Sequence, residues 1–245
     1  MKKRLMIQAA VCAAAWAVFA QGIDYEAVFL AADRLFPAEA KLTLTMQSMK
    51  KGKARDKIGF TCYMSGTEKY LLIMEYPKIL KGQLQLRTGD LIYFYNKKVN
   101  KMNKMSAGAA FMGTSITQED IMNTTLSRLY RARRGSEQTV EGIACYCAEL
   151  EPAVTEAAYK KILAYIRKDD GALLKREYFS YNGDLIKVMR VLDYRKDADG
   201  YVFLHVSTEM IGGAGEKTVL TFEDFDRRTA VDPRLFEVQR LKYVR

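Results

Sequence analysis

The sequence predicts a mainly β protein built on one large antiparallel sheet, and three observations support this. Apolar and polar residues alternate over most of the chain, which is typical of strands. Short runs of Gly, Asp and Asn separate these stretches, as tight turns require. Of the 245 residues 49% are hydrophobic, and there is neither a repeat nor a low-complexity tract, which excludes disordered and solenoid proteins. We therefore expect a globular chain with a sizeable core.

The first twenty residues have the organisation of a secretory signal peptide. Basic residues 2–4 precede an apolar stretch, and Val18 and Ala20 are small residues suited to a cleavage site. A membrane anchor is the alternative, but the apolar stretch is shorter than the roughly 20 residues that a bilayer span needs. A lipoprotein site at Cys12 fits less well because the apolar run continues past it. We expect cleavage after Ala20 and one domain over residues 21–245, which retains +7 of the formal charge of +10.

The cysteines and the single histidine predict neither a disulfide scaffold nor a metal site. Residues 21–245 contain Cys62, Cys145 and Cys147, an odd number, and it stays open whether Cys62 pairs with Cys145 or Cys147. Cys145 and Cys147 lie two residues apart on a predicted strand, so both point to the same face. A zinc site would need His205 together with distant carboxylates, so we interpret the cysteines as buried small apolar residues. No cofactor is expected.

The first element after the signal is predicted to be a helix, and the rest of the chain is predicted to be strands. Asp24 caps a helix over residues 25–36, which Pro37 ends. A hairpin follows, with residues 42–46 and 58–64 on either side of a basic turn at residues 50–53. The further predicted strands are residues 69–76, 83–87, 91–97, 142–151, 159–168, 173–181, 185–194, 201–210 and 218–225. Roughly ten to twelve strands follow, and a sheet of that size must curl to bury a face and limit its exposed edges.

Several predicted strands are apolar on both faces, which indicates that something covers each side of the sheet. Residues 70–74, 91–95 and 188–192 show this pattern, whereas a half-solvated strand alternates. One cover is the predicted N-terminal helix. The other cover is either packed side chains or a cavity that takes an apolar ligand. The ten methionines after residue 20 would suit either an adaptable cavity lining or a core in which they fill gaps between other side chains. The candidate cavity-lining residues are Phe60, Met64, Leu72, Met74, Leu86, Ile92 and Phe94.

Residues 106–122 break the strand pattern. Small residues surround Phe111 and Met112, and residues 117–122 are predicted to form a capped helical turn. Two interpretations remain: a mobile lid in which Phe111 and Met112 contact the ligand, or an ordinary crossover whose two apolar residues pack into the core. A basic cluster follows, either a solvated face or a docking patch for an acidic partner or lipid head groups. Its residues are Arg128, Arg131, Arg133 and Arg134.

The sequence contains no motif of a known catalytic site. The G-x-S-x-G, H-E-x-x-H, P-loop, dinucleotide-binding and C-x-x-C patterns are missing, and one histidine leaves little scope for a triad. The paired carboxylates at Glu119 and Asp120, like those at residues 223–226, are interpreted as solvated charge. We therefore expect no enzymatic activity. An exported chain is also not expected to bind nucleic acid, so its basic charge would meet anionic lipids or envelope proteins.

Several short motifs occur in a characteristic order along nearly the whole chain after the signal. They are the N-terminal helix, the turn at residues 50–53, residues 89–94, 111–114 followed by Glu119 and Asp120, 140–146, 149–152, 174–178 and 217–222. In this order they resemble the LolA-like proteins, the outer-membrane lipoprotein-sorting family. The resemblance implies an unclosed half barrel with an N-terminal helix and a short helical lid that cover an apolar cavity.

The resemblance also implies a function and partners. It implies a soluble periplasmic carrier that shelters lipid or lipoprotein acyl chains during transfer between envelope membranes, without a cofactor. An inner-membrane exporter and an outer-membrane acceptor would be its partners. The arginine that latches the lid in this family is not assigned to any arginine here. The alternative is an envelope interaction module that docks on an exporter or regulator without transporting anything, and a secreted enzyme is a third hypothesis.

Overall fold

The computed structural model describes residues 22–33, 39–66, 68–89, 91–105, 111–114, 116–117, 120, 126–155, 157–197, 200–211 and 216–244. Thirteen strands form one sheet. They are β1 (Glu39–Lys50), β2 (Lys53–Ser65), β3 (Lys69–Tyr76), β4 (Leu84–Thr88), β5 (Leu91–Asn96), β6 (Lys101–Met105), β7 (Tyr130–Val140), β8 (Ile143–Pro152), β9 (Lys161–Arg167), β10 (Leu173–Phe179), β11 (Leu185–Asp197), β12 (Gly200–Met210) and β13 (Lys217–Asp226). The α-helices are α1 (Tyr25–Asp33) and α2 (Leu126–Leu129), and 3-10 turns cover Phe111–Gly113, Pro233–Phe236 and Val238–Tyr243.

The sheet is antiparallel and does not close into a barrel. From β1 near its centre the chain runs through β2–β6 to one edge, continues at β7 on the opposite edge and returns through β8–β13 to pair with β1. Residues 106–129 therefore connect the two opposite edges of the thirteen-stranded sheet. This confirms the predicted fold class of a single unclosed antiparallel sheet.

The prediction of ten to twelve strands was too low because it missed β6 and β7. Both are edge strands whose residues are mostly exposed, so burial imposes no apolar alternation on their sequences.

Arg131, Arg133 and Arg134 belong to β7. Arg134 pairs with Glu149 at 2.7 Å, and its hydrogen bond to that carboxylate lowers the pKa of Glu149.

Two local predictions are confirmed in detail. The turn between β1 and β2 has positive φ at Lys51 (50°) and Gly52 (72°), the geometry of a two-residue hairpin that matches the twist of its strands. The side chain of Asp24 accepts a hydrogen bond from the Ala27 amide at 3.0 Å, which caps α1. The described part of the helix ends at Asp33, and the predicted remainder to residue 36 lies outside the described residues.

The two faces of the sheet have different covers. We call the face that carries the main core cluster the inner face; α1, α2 and the 111–116 turn pack against it. The opposite, outer face carries two smaller clusters. Gly135 shows how closely α1 approaches the sheet, because a Cβ at this position would lie 2.2 Å from the ring of Tyr25.

The C-terminal residues cover the outer face of β3–β5. Phe236 and Leu241 bury their side chains with Leu71, Leu84 and Leu86. Pro233 begins the first of these turns, and the Asp232 carboxylate accepts a hydrogen bond from the Arg234 amide at 2.9 Å. Strands that are apolar on both faces require such a cover, and the sequence patterns did not predict which residues would form it. An Asp-Pro pair ahead of Leu235 and Phe236 was the available signal.

No disulfide joins the three described cysteines, and all three are buried. Cys145 and Cys147 lie in one outer-face cluster with Tyr165, as their spacing predicted, whereas Cys62 belongs to the inner cluster. The sheet therefore separates Cys62 from the other two, which answers the question of pairing. Burial raises the pKa of all three thiols, so they stay neutral and act as small apolar residues.

Candidate functional site

The inner face is a continuous apolar surface contributed by both halves of the sheet. Inward-pointing residues alternate along each strand with outward-pointing ones, so every second side chain joins the same cluster. The deeply buried members from β1–β3 and from β8–β11 include Leu42, Leu44, Met46, Cys62, Tyr70, Leu150, Ile162, Ile166, Tyr178 and Met189. An apolar chain laid along this face would meet aliphatic and aromatic side chains from at least seven strands.

Most of the predicted cavity-lining residues lie together on this face. Phe60, Met64, Leu72 and Met74 are buried in the inner cluster, and Phe94 packs against it. Ile92 is also buried, and it shares the face of Phe94 because the two lie two residues apart on β5. Whether these residues contact a ligand stays a prediction.

Leu86 is the exception, because it lies on the outer face under the C-terminal turns. It stands opposite Leu71 in the β3–β4 register, and both point away from the inner cluster. The inner-face positions of β4 are polar instead. The Gln85 amide donates to the Tyr70 hydroxyl at 3.1 Å, and Arg87 Nε donates to the Gly89 carbonyl at 3.0 Å.

Phe111 and Met112 reach into the inner cluster. Phe111 is 1% exposed, and its ring centroid lies 5.5 Å from that of Phe60. Met112 has φ 51° and packs partly buried beside it. The Phe111 amide donates to the Ile116 carbonyl at 2.7 Å, which closes the turn, and Ile116 is buried as well. Phe111 and Met112 are therefore directed toward the sheet.

A buried lysine anchors this connection to the sheet. Lys187 on β11 is 2% exposed, and its Nζ lies 2.5 Å from Asp120 Oδ2. It also donates to the Tyr159 hydroxyl and lies 4.2 Å from the ring centroid of Tyr178. The Thr117 amide donates to the same carboxylate oxygen at 2.8 Å. Because an isolated buried ammonium is costly, these partners are what make the position tolerable. Asp120 is thus a paired charge rather than the solvated one that the sequence suggested.

A second buried ion pair ties the helices to the sheet. The Arg176 guanidinium on β10 lies 3.7 Å from Asp33 Oδ1 at the end of α1, and both side chains are nearly inaccessible. Asp33 Oδ2 accepts a hydrogen bond from the Ser127 amide in α2 at 2.9 Å. One carboxylate therefore connects α1, α2 and the inner face. No sequence signal marked these residues, because each looks like an ordinary polar position in its own element.

A cavity of about 290 Å³ is lined by Ile143, Leu174, Lys175 and Arg190 among others. Lys175 lies 2.5 Å from Glu177 and Arg190 lies 3.6 Å from Glu141, so these two cations are already paired. Neither cation is therefore left to attract an anionic ligand.

Comparisons with known proteins agree with this geometry. A family model described as "Uncharacterized protein" matches residues 66–243. The chain belongs to that family. Its fold is similar to that of a solved LolA superfamily protein. A comparison with curated proteins finds no match.

Three solved structures illustrate the similarity of fold. A LolA superfamily protein from Nitrosomonas europaea is 18% identical, with a TM-score of 0.76 over 88% of this chain and 99% of that one. An outer-membrane lipoprotein-sorting protein domain from Vibrio parahaemolyticus is 17% identical, with a TM-score of 0.79 over 88% and 97% of the two chains. A DUF1329 family protein from Desulfovibrio piger is 20% identical, with a TM-score of 0.79 over 89% and 97%.

On the inner face, two ionisable side chains are held in their neutral forms. Burial raises the pKa of Tyr70 to about 12, and it also raises that of Cys62, so both groups are protonated at neutral pH. Within the described ranges, no three His, Cys, Asp or Glu side chains are grouped so that they could hold a metal ion. No helix in the part of the chain that the structure describes is long and apolar enough to cross a membrane. The arrangement is suited to holding an apolar group.

Proposed function

We propose that this protein is a periplasmic carrier that holds a lipid or a lipoprotein acyl chain against the inner face of its sheet. The observation that carries the proposal is the insertion of Phe111 into a continuous apolar surface that both halves of an unclosed sheet contribute. The fold is shared with a domain whose name refers to lipoprotein sorting, which supports the same reading. The protein performs no chemistry in this function.

In this proposal the segment 106–122 acts as a lid whose side chains occupy the ligand site of the empty protein. Phe111, Met112 and Ile116 take the place of an acyl chain, so they must move before one can bind. An incoming chain gains about 0.8 kcal/mol for each methylene that it buries, which compensates for the contacts that the lid residues lose. A segment that opens must have low local stability, which suits a connection built from small residues.

The proposed partners follow from the carrier function. An inner-membrane exporter would supply the acyl chain, and an outer-membrane acceptor would receive it. If no lipid binds to the inner face, the alternative of a non-transporting interaction module that docks on an exporter or regulator becomes the better interpretation.

Replacing both lid side chains, Phe111→Ser with Met112→Ser, is expected to raise the affinity for a fluorescent fatty acid by about tenfold. The physical reason is that the variant no longer has apolar lid side chains that compete with the ligand for the inner face. Fluorescence titration with displacement by unlabelled fatty acid measures the change. Leu44→Ala is the matched control, because it also removes a buried side chain of the inner cluster but from a strand of the sheet. Equal affinity of the lid variant and wild type, or an equal gain in the control, would contradict the lid.

Export is tested by the N-terminus and by thiol reactivity. We expect Gln21 to be the first residue of protein recovered from the periplasm, as measured by intact mass. Native protein should then show no thiol that reacts rapidly with Ellman's reagent, because Cys62, Cys145 and Cys147 are buried and their pKa values are raised. One rapidly reacting thiol together with the full-length mass would identify retained Cys12 and refute cleavage.

A further inference from the structure

Two neighbouring turns form a distinct surface at one end of the sheet. They are residues 77–83 between β3 and β4, and residues 97–100 between β5 and β6; we call them the paired turns. Because the four strands are consecutive and antiparallel, both turns lie at the same end. They are joined directly, since the Lys98 ammonium donates to the Ile79 carbonyl at 2.9 Å. Within these turns Leu80 packs against the inner cluster, whereas Ile79 and Val99 do not belong to it.

Each of the paired turns presents one aliphatic side chain to solvent. Ile79 is 71% exposed and Val99 is 65% exposed. The first turn is held in place by its own hydrogen bonds, with the Leu80 amide donating to the Pro77 carbonyl at 2.9 Å and the Gln83 amide donating to the Leu80 carbonyl at 3.0 Å. The exposure of Ile79 is therefore a feature of an ordered turn. The largely exposed side chains of Ile79 and Val99 therefore do not contribute to the core of this fold.

Lysine is frequent in and beside the paired turns. Six lysines and one acidic residue, Asp90, lie between residues 77 and 105. The lysines are Lys78, Lys81, Lys97, Lys98, Lys101 and Lys104. Within the described ranges, none of the six forms an ion pair with a carboxylate. Among the described residues, the charges of these lysines are therefore not neutralised by direct ion pairs.

We propose that the paired turns dock the protein on an anionic lipid bilayer. Ile79 and Val99 would enter the interfacial region, while the surrounding lysines approach head-group phosphates and keep their aliphatic stems against the apolar zone. The composition favours a membrane over an acidic protein, because protein interfaces are enriched in aromatic residues and arginine and depleted in lysine. Protection of the exposed edge of β6 accounts for Lys101 and Lys104. It does not account for Lys78, Lys81 or the two aliphatic tips.

Co-sedimentation with vesicles tests the proposal. Wild-type protein should bind vesicles that contain phosphatidylglycerol in phosphatidylcholine, bind pure phosphatidylcholine weakly, and lose binding as salt is raised. The triple variant Lys78→Gln, Lys81→Gln and Lys101→Gln should bind anionic vesicles at least about tenfold more weakly. All variants are prepared with the same N-terminus, so differences among them cannot arise from the predicted signal segment.

The matched charge control removes three cations that are exposed elsewhere. Lys69→Gln, Arg133→Gln and Arg228→Gln change the net charge equally and should leave most of the binding intact. Equal losses in both triple variants would mean that binding follows net charge alone, which overturns the proposal. Binding of wild type to polyglutamate without binding to anionic vesicles would point to an acidic protein and overturns it as well.

A tryptophan reporter tests the role of the aliphatic tips. Trp16 is the one tryptophan in the sequence, so the difference spectrum between Val99→Trp and wild type reports on the new side chain. Its emission should shift to the blue with anionic vesicles, whereas Leu192→Trp, at a position that is 53% exposed on β11, should not shift. No shift at residue 99 would overturn insertion. Because fatty-acid binding to the inner face is measured without vesicles, failure here and failure of the carrier function are distinguishable.

Discussion

Replacing Lys187 with methionine is expected to reduce the free energy of unfolding by about 3 kcal/mol. Methionine preserves most of the side-chain volume but leaves Asp120 as a largely buried carboxylate without its cation, and it removes the donor to the Tyr159 hydroxyl. Urea unfolding measures the loss. Hydrogen exchange of residues 111–129 should accelerate at the same time, because Lys187 is the described contact through which Asp120 holds this connection to β11.

A double variant separates loss of the ion pair from loss of packing. Lys187→Met combined with Asp120→Leu removes both charges, and we expect it to recover a large part of the stability lost in the single variant. Lys57→Met is the control, because its pair with Glu223 is exposed on both sides and solvent screening leaves it little effect on stability. If Lys187→Met were no more destabilising than Lys57→Met, the buried pair would not anchor the connection.

The second large effect is expected at the C-terminal cover. Leu241→Ala should cost about 3 kcal/mol, because it leaves a cavity above Leu71 and Leu84 on the outer face. Phe236→Ala should have a similar effect and should also increase binding of an apolar dye, since the outer face of β3–β5 would become accessible.

Tyr243→Ala is the control within the same segment. Tyr243 is 69% exposed, so its truncation should change stability by less than about 0.5 kcal/mol. Comparable unfolding midpoints for Leu241→Ala and Tyr243→Ala would show that the C-terminal turns rest on the sheet without stabilising it. The three variants have equal chain lengths, so differences in the unfolded chain are small.

Local sequence patterns predicted the strands in which buried and exposed residues alternate. The predicted strand over residues 58–64 lies within β2, and the turn at residues 51–52 matched the structure, because alternation and turn chemistry act between near neighbours. The edge strands β6 and β7 were missed because solvent on both faces removes the alternation. Of the candidate cavity-lining residues, Phe60, Met64, Leu72 and Met74 lie together on the inner face, and their contact with a ligand stays a prediction.

Leu86 shows that apolar character alone does not predict which face of a strand points inward. On β4 the apolar residues Leu84 and Leu86 point outward and the polar residues Gln85 and Arg87 point inward, so apolar character did not identify the inner face. Only pairing with β3 decided the orientation, together with the Tyr70 hydroxyl and the Gly89 carbonyl that satisfy the two inward polar groups.

The sequence by itself determined the alternating strands, their turns and the capped first helix, because hydrogen bonding and side-chain direction repeat over a few residues. Only the tertiary structure decided which face became the inner one and what covers each face. Asp120 meets Lys187 across 67 residues of sequence, and Phe236 covers Leu71 from the far end of the chain. Such contacts depend on how strands from both halves curl and cross, and no local periodicity encodes that arrangement.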